Sequence, residues 1–197
     1  MINESLLALT SFALVSSITP GPNNIMLMSS GTNFGFRKTI PHMLGVCLGF
    51  VLMVSVVCLG LTQVFSHYPI VHKGLKYICV AYLIYLSYKI ATSSPASAGD
   101  KTKTRPFTFL QAALFQWVNP KAITMALAAI SLFAPSNTFA DVFKVAIIFG
   151  LVNLPSVSVW VVLGQQIRRA LDNHRRLKIF NFMMAGLLLS SLGFILG

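Results

Sequence analysis

Two short stretches place polar, conformation-breaking residues where they could do chemistry: Thr19-Pro20-Gly21-Pro22-Asn23-Asn24 and Asn119-Pro120-Lys121, with a weaker polar interruption at Asn153 ahead of Pro155. Hydroxyl, amide and ammonium groups beside broken backbone suit the capture of a small polar or anionic ligand. They do not suit covalent chemistry, because no nucleophile, base or metal set converges with them, so no enzyme is expected. Cys47, Cys58 and Cys79 are odd in number and lack C-x-x-C spacing. His42, His67, His72 and His174 fall at the ends of apolar runs or between them, away from acidic clusters. Neither set reads as a metal site, and no cofactor is expected.

The elements that must position these groups are apolar. Of 197 residues 55% are hydrophobic and 10% charged, and the mean hydropathy is +0.76. A soluble domain needs more polar surface than that. Apolar runs extend roughly over 5–28, 39–64, 75–91, 107–133, 143–164 and 177–196, each reaching or approaching the ~20 residues that cross ~30 Å of hydrocarbon. The first is expected to stay in the mature protein, since its early charge is Glu4 rather than a basic cluster and no A-x-A site follows. The expected fold is an all-α integral membrane protein, one domain over 1–197 with six transmembrane helices.

The net charge of +11 is distributed by loop. Arg37 and Lys38 follow the first run, Lys89, Lys101, Lys103 and Arg105 the third, and Arg168, Arg169, Arg175, Arg176 and Lys178 the fifth. The loops after the second and fourth carry only Lys73, Lys76 and Lys144. This alternation is the positive-inside pattern, with the basic loops cytoplasmic and both termini outside. Nucleic acid is not an expected partner, because its binding would gather the basic residues in one groove with interleaved aromatics.

Phe12–Met28 and Ala112–Ala128 align without a gap, Thr19-Pro20 falling on Asn119-Pro120. Each half holds an odd number of spans, so the second half inserts upside down relative to the first. The expectation is two inverted three-helix repeats, about 1–92 and 107–197, joined by a cytoplasmic linker at about 93–106. Thr19 and Asn119 are good N-caps, and a proline just after a cap suits the first helical turn. Helices one and four should therefore restart near the midplane, since Leu6 to Ile18 is ~20 Å of helix. Two half-helix N-termini facing one site from opposite sides would favour a carboxylate. The substrate-binding candidates are Thr19, Pro20, Gly21, Pro22, Asn23, Asn24, Asn119, Pro120, Lys121 and Asn153.

Lys121 is a basic residue in mid-span, at a cost of about 2.5 to 3.5 kcal/mol on insertion scales. No Asp or Glu lies in any span to pair with it, so it must lose its proton or find a mobile anion. Plainer readings stand beside these: prolines as kinks, Lys121 snorkelling to an interface, Gly45 and Gly49 as close helix packing, the tyrosines between Tyr77 and Tyr88 as a packing or interface belt, and Gln116 with Trp117 as either lining or packing.

TPGPNN followed by GFR, the paired glycines of GVCLGF, AYLIYLSYKIA and VNPKA resemble the LysE/RhtB family of amino-acid exporters over nearly the whole chain. PGPNNI, SSGTNFGFR and KIATS are most similar to its cysteine/O-acetylserine branch. The resemblance implies export of an amino acid or close derivative from the bacterial cytoplasm, across the inner membrane, driven by proton exchange. Its partners would be the amino acid, protons and the lipid bilayer, with a homodimer an allowed assembly. Without an intramembrane carboxylate, Lys121 or the substrate's own ionisation must couple the two fluxes. A passive channel or a membrane protein of another class is the alternative. The topology is testable: a reporter that works only outside the cytoplasm should be active when fused after Gly197, and activity of a cytoplasm-only reporter there would overturn the orientation.

Overall fold

A computed structural model of the protein describes residues 2–57, 69–93, 105–134, 138–171 and 173–193. The C-terminal part of the second apolar run, most of the linker, the tip of the sixth run, and with them Cys58, His67, Lys101 and Lys103, lie outside the described residues. All regular structure among those described is helical. Helices α1 (Ile2–Ile18) and α2 (Pro22–Phe34) form one rod bent by 56° at a break. Then come α3 (Phe36–Val56) and α4 (Pro69–Ala91). A second interrupted rod follows, with α5 (Phe109–Phe115), a 3₁₀ turn (Gln116–Val118) and α6 (Pro120–Phe133). The chain closes with α7 (Phe139–Ala170) and α8 (His174–Ser190).

Local chemistry accounts for the boundaries. Gly35 takes φ 80°, a left-handed conformation that suits glycine, and its N–H bonds the Gly31 carbonyl, so α2 stops and α3 starts within one residue. Thr108 and Gln111 form a reciprocal capping box at the start of α5. Thr138 accepts from the Asp141 amide at α7, and Asn173 from the Arg175 amide at α8. Asn153 and Pro155 do not interrupt their helix, contrary to the sequence expectation. The proline lies inside a continuous helix of 32 residues that packs against α1, α2 and α3, and that packing offsets the missing hydrogen bond.

Helices α3 and α7 are each long and apolar enough to cross a bilayer, and α1 with α2 qualifies as a bent pair. Large apolar side chains cover the outside, including Leu7 (68% exposed), Leu151 (71%) and Phe139 (80%). That surface matches a lipid solvent rather than water. Inside, Leu9, Ala13, Phe50, Met53 and Phe149 pack with Ala122, Ala126 and Ala129 of α6. Ile25, Leu83, Leu86, Phe115 and Met184 form a second group, and Leu27, Met43, Val46, Val157 and Val161 a third.

The chain segments that leave α2, α4 and α7 meet at one end of the molecule. There Asn33 and Asn181 exchange amide hydrogen bonds of 2.8 and 3.1 Å. Asn181 also donates to the Ser93 carbonyl at 2.8 Å, Arg168 to the Asn33 carbonyl at 3.3 Å, and the Lys89 ammonium sits 4.2 Å from the Phe107 ring centroid. Lys89 and Arg168 therefore share that end. Gly45 and Gly49 do provide close packing, against the α5 backbone, and α2 lies equally tight on α7: a Cβ at Gly31 would collide with the Val161 carbonyl and one at Gly164 with the Met28 carbonyl. We expect Gly31→Ala and Gly164→Ala each to cost about 1 to 3 kcal/mol, read as a lowered unfolding temperature in detergent. Gly186→Ala, where a Cβ meets nothing within 4 Å, should leave it unchanged; equal behaviour of all variants would contradict this packing.

Candidate functional site

The break between α1 and α2 follows from two missing donors. Pro20 cannot bond the Ser16 carbonyl and Pro22 cannot bond that of Ile18, so α1 runs out of partners four residues before each proline. In a bilayer these carbonyls must find donors within the protein. Thr19 Oγ1 donates to Ser16 O at 3.0 Å. Asn24 Nδ2 reaches back to Ser17 O and Thr19 O, both at 2.8 Å. Trp160 Nε1 of α7 donates to Ile18 O at 3.0 Å. Lys121 Nζ of α6 donates to Thr19 O at 2.6 Å, Thr19 Oγ1 at 2.9 Å and Pro20 O at 3.3 Å. An ammonium has three donors, and here each has an acceptor. A cation at the carbonyl end of a helix is also favoured by the helix dipole.

One sequence expectation changes here. Thr19 is not the N-cap of the restarted helix: Gly21 holds that position in extended conformation and Pro22 is its first residue. Gly21-Pro22, rather than Thr19-Pro20, is thus the counterpart of Asn119-Pro120, where Asn119 occupies the N-cap position of α6. Lys121 crosses to the end of α1, where carbonyl and hydroxyl oxygens receive its ammonium. The glycine at 21 makes room for it, since a Cβ there would lie 2.6 Å from Lys121 Cδ.

Both restarts open onto one cavity. It has a volume of about 30 Å³ and is lined by Gly21, Asn23 and Asn24 from the first turn of α2, Asn119, Lys121 and Ala122 from the start of α6, and Asn153 from α7. Ser16, Ser17 and Gln116 complete its polar wall, against Val46, Phe50, Met125 and Val157. An adjoining recess of about 540 Å³ is mostly apolar and is bounded by Phe12, Pro20, Pro22, Pro120, Thr124, Met125 and Ala128. Gly21, Lys121, Ser16 and Met125 border both. Each proline of the two motifs thus lines the recess, each asparagine lines the small cavity, and Thr19 lies beneath the Lys121 ammonium.

Helical geometry leaves the N–H groups of Asn23 and Asn24 without intrahelical acceptors, and likewise those of Lys121 and Ala122. The first turns of two helices therefore offer amide donors and positive dipole ends to one polar chamber. Gln116, fully buried, bridges the breaks: Asn23 Nδ2 donates to its Oε1 at 2.8 Å and its Nε2 to Asn23 Oδ1 at 3.2 Å. Gln116 is thus a lining residue, whereas Trp117 packs on the apolar core. Of the tyrosines, Tyr82 packs on Phe115 while Tyr77, Tyr85 and Tyr88 stay exposed. Sequence reasoning missed Ser16, Ser17 and Trp160. The serines stood opposite Gln116 and Trp117 in the repeat alignment, a signal that could have found them; Trp160 joins only through the packing of α7.

Residues 14–197 match the LysE type translocator family. The chain belongs to that family. It is 34% identical over 172 residues to a cysteine/O-acetylserine efflux protein of Salmonella paratyphi A, a match covering 86% of this chain and 87% of the relative. Cysteine/O-acetylserine efflux proteins of Salmonella typhimurium and Escherichia coli O6:K15:H31 are 33% and 32% identical over the same length. No solved structure matches. This LysE-type translocator is a membrane transport protein and not an enzyme.

The reciprocal bonds across the two breaks give a measurable coupling. In a double-mutant cycle of Asn23→Ala and Gln116→Ala, followed by unfolding in detergent, we expect an interaction energy of about 1 to 2 kcal/mol. Simple additivity would show that the pair does not hold the breaks together.

Proposed function

We propose that this translocator exports small neutral amino acids or close derivatives, cysteine and O-acetylserine among them, from the bacterial cytoplasm by proton antiport. The observation that carries the reading is the pair of half-helix starts on a single polar cavity, with Lys121 between that cavity and the apolar recess. The first-turn amides of α2 and α6 suit the carboxylate common to all amino acids. The recess suits a modest, uncharged side chain. The names of the similar efflux proteins support the same substrate class.

In this reading the chain forms six spans as two inverted repeats, the end that gathers the basic residues faces the cytoplasm, and both termini are periplasmic. Inverted repeats exchange packing between two states. At the basic end α2 lies backbone to backbone on α7, whereas α6, the counterpart of α2, meets α3 through the side chains of Phe50, Met53 and Val54. This difference supports a state closed toward the cytoplasm. Export would require α2 to part from α7 while α6 closes on α3. Lys121 is the coupling residue: it exchanges a proton as it leaves and regains its seat on Thr19 and Pro20.

Purified protein in proteoliposomes provides the test. We expect saturable O-acetylserine flux driven by a pH gradient; non-saturable flux would indicate a pore. Lys121→Met should insert normally but lose gradient-driven flux by about tenfold or more, and Lys121→Arg, fixed in its charge, should bind substrate without coupling. If Lys121→Met still couples flux to the gradient, the proton is carried elsewhere.

A further inference from the structure

An amino acid is a zwitterion, and the half-helix N-termini account for only its carboxylate. The α-ammonium brings three donors that must find acceptors away from water. Among the described residues no Asp or Glu lines the cavity or the recess. The carbonyls at the end of α1 are already covered by Thr19, Asn24, Trp160 and Lys121. Two buried oxygens on residues that line the cavity have no partner: Ser17 Oγ, on a residue 5% exposed, and Asn119 Oδ1, on a residue 1% exposed.

Both omissions run against local habit. Many helical serines and threonines turn back onto the carbonyl four residues before, as Thr10, Ser16, Ser55, Ser87 and Ser156 do, and the buried Ser29 and Ser30 pair with Asn33 and Thr39 instead. Ser17 does neither. Asn119 stands at the N-cap position of α6, where its side chain could accept an amide hydrogen bond, yet it makes no such cap. Buried acceptors are rarely left unpaired, and a bound water, ion or ligand is one reason when they are. A chamber of about 30 Å³ admits groups the size of two or three waters, which is room for an ammonium.

We infer that Ser17 Oγ and Asn119 Oδ1 form the subsite for the substrate's α-ammonium, so that the two breaks read both ends of a zwitterion while its side chain occupies the apolar recess. The assignment rests on the export reading above. It makes Ser17 and Asn119 specificity-determining: they select ligands with a free amino group over ligands that share the same carboxylate and side chain.

The test compares O-acetyl-L-serine with 3-acetoxypropanoate, which lacks only the amino group, in proteoliposomes of wild type, Ser17→Ala and Asn119→Ala. We expect each substitution to raise the half-saturating concentration of O-acetylserine about tenfold while leaving inhibition by 3-acetoxypropanoate within about twofold. Ser17→Thr and Asn119→Asp keep an oxygen acceptor and should retain the preference for the amine, which a merely structural role would not require. Equal weakening of both ligands, or of neither, would overturn the assignment for variants that remain monodisperse. If wild type transports no O-acetylserine at all, the export reading fails and the subsite falls with it; transport with an unaltered amine preference in both alanine variants sinks the subsite alone.

Discussion

Everything at the centre of this protein depends on how the last carbonyls of α1 are satisfied. Two prolines spaced two apart remove two donors from one apolar bent rod. The replacement donors come from three different helices: Asn24 from α2, Trp160 from α7 and Lys121 from α6. A defect in one helix thereby fixes the relative placement of four. The same arrangement turns the starts of α2 and α6 toward a shared cavity, so the shape of that cavity and the satisfaction of the broken backbone are one problem with one solution. Lys121 joins the two, because its ammonium closes the end of α1 while its backbone opens α6.

The packing around this centre is uneven in a way that suits a moving machine. At the basic end, glycines let α2 and α7 approach at backbone distance, and the Asn33–Asn181 amide pair with Arg168 ties the ends of α2, α7 and α8. Beyond the breaks, α6 presents alanines to large side chains of α3 and α7 instead. Side-chain contacts of this kind can be re-made at modest cost, whereas backbone contacts through glycine are either formed or absent. The short extended segment at Gly21 and the 3₁₀ turn at Gln116–Val118 stand where each rod can hinge.

Much of this was legible in the sequence because membrane insertion constrains composition so strongly. The all-helical architecture follows from apolar runs, the breaks from prolines in mid-run, and the importance of Lys121 from a charge with no counter-ion in any span. The exact register at the first break was not legible. TPGP offers two prolines, and only the extended conformation of Gly21 decides that Pro22 restarts the helix. Asn153 and Pro155 were over-read, since the burial of α7 among its neighbours keeps the helix intact through a proline. Trp160 looks ordinary in sequence, and its bond to Ile18 exists only once α7 is packed against the end of α1.

A structure with bound O-acetylserine tests the central claim most directly, because the claim is that two broken helices share one ligand. Its carboxylate oxygens should lie within about 3 Å of the first-turn amides of α2 and α6, with hydrogen-bond geometry to at least one residue from each half. A ligand held elsewhere, or by one half alone, would contradict the account.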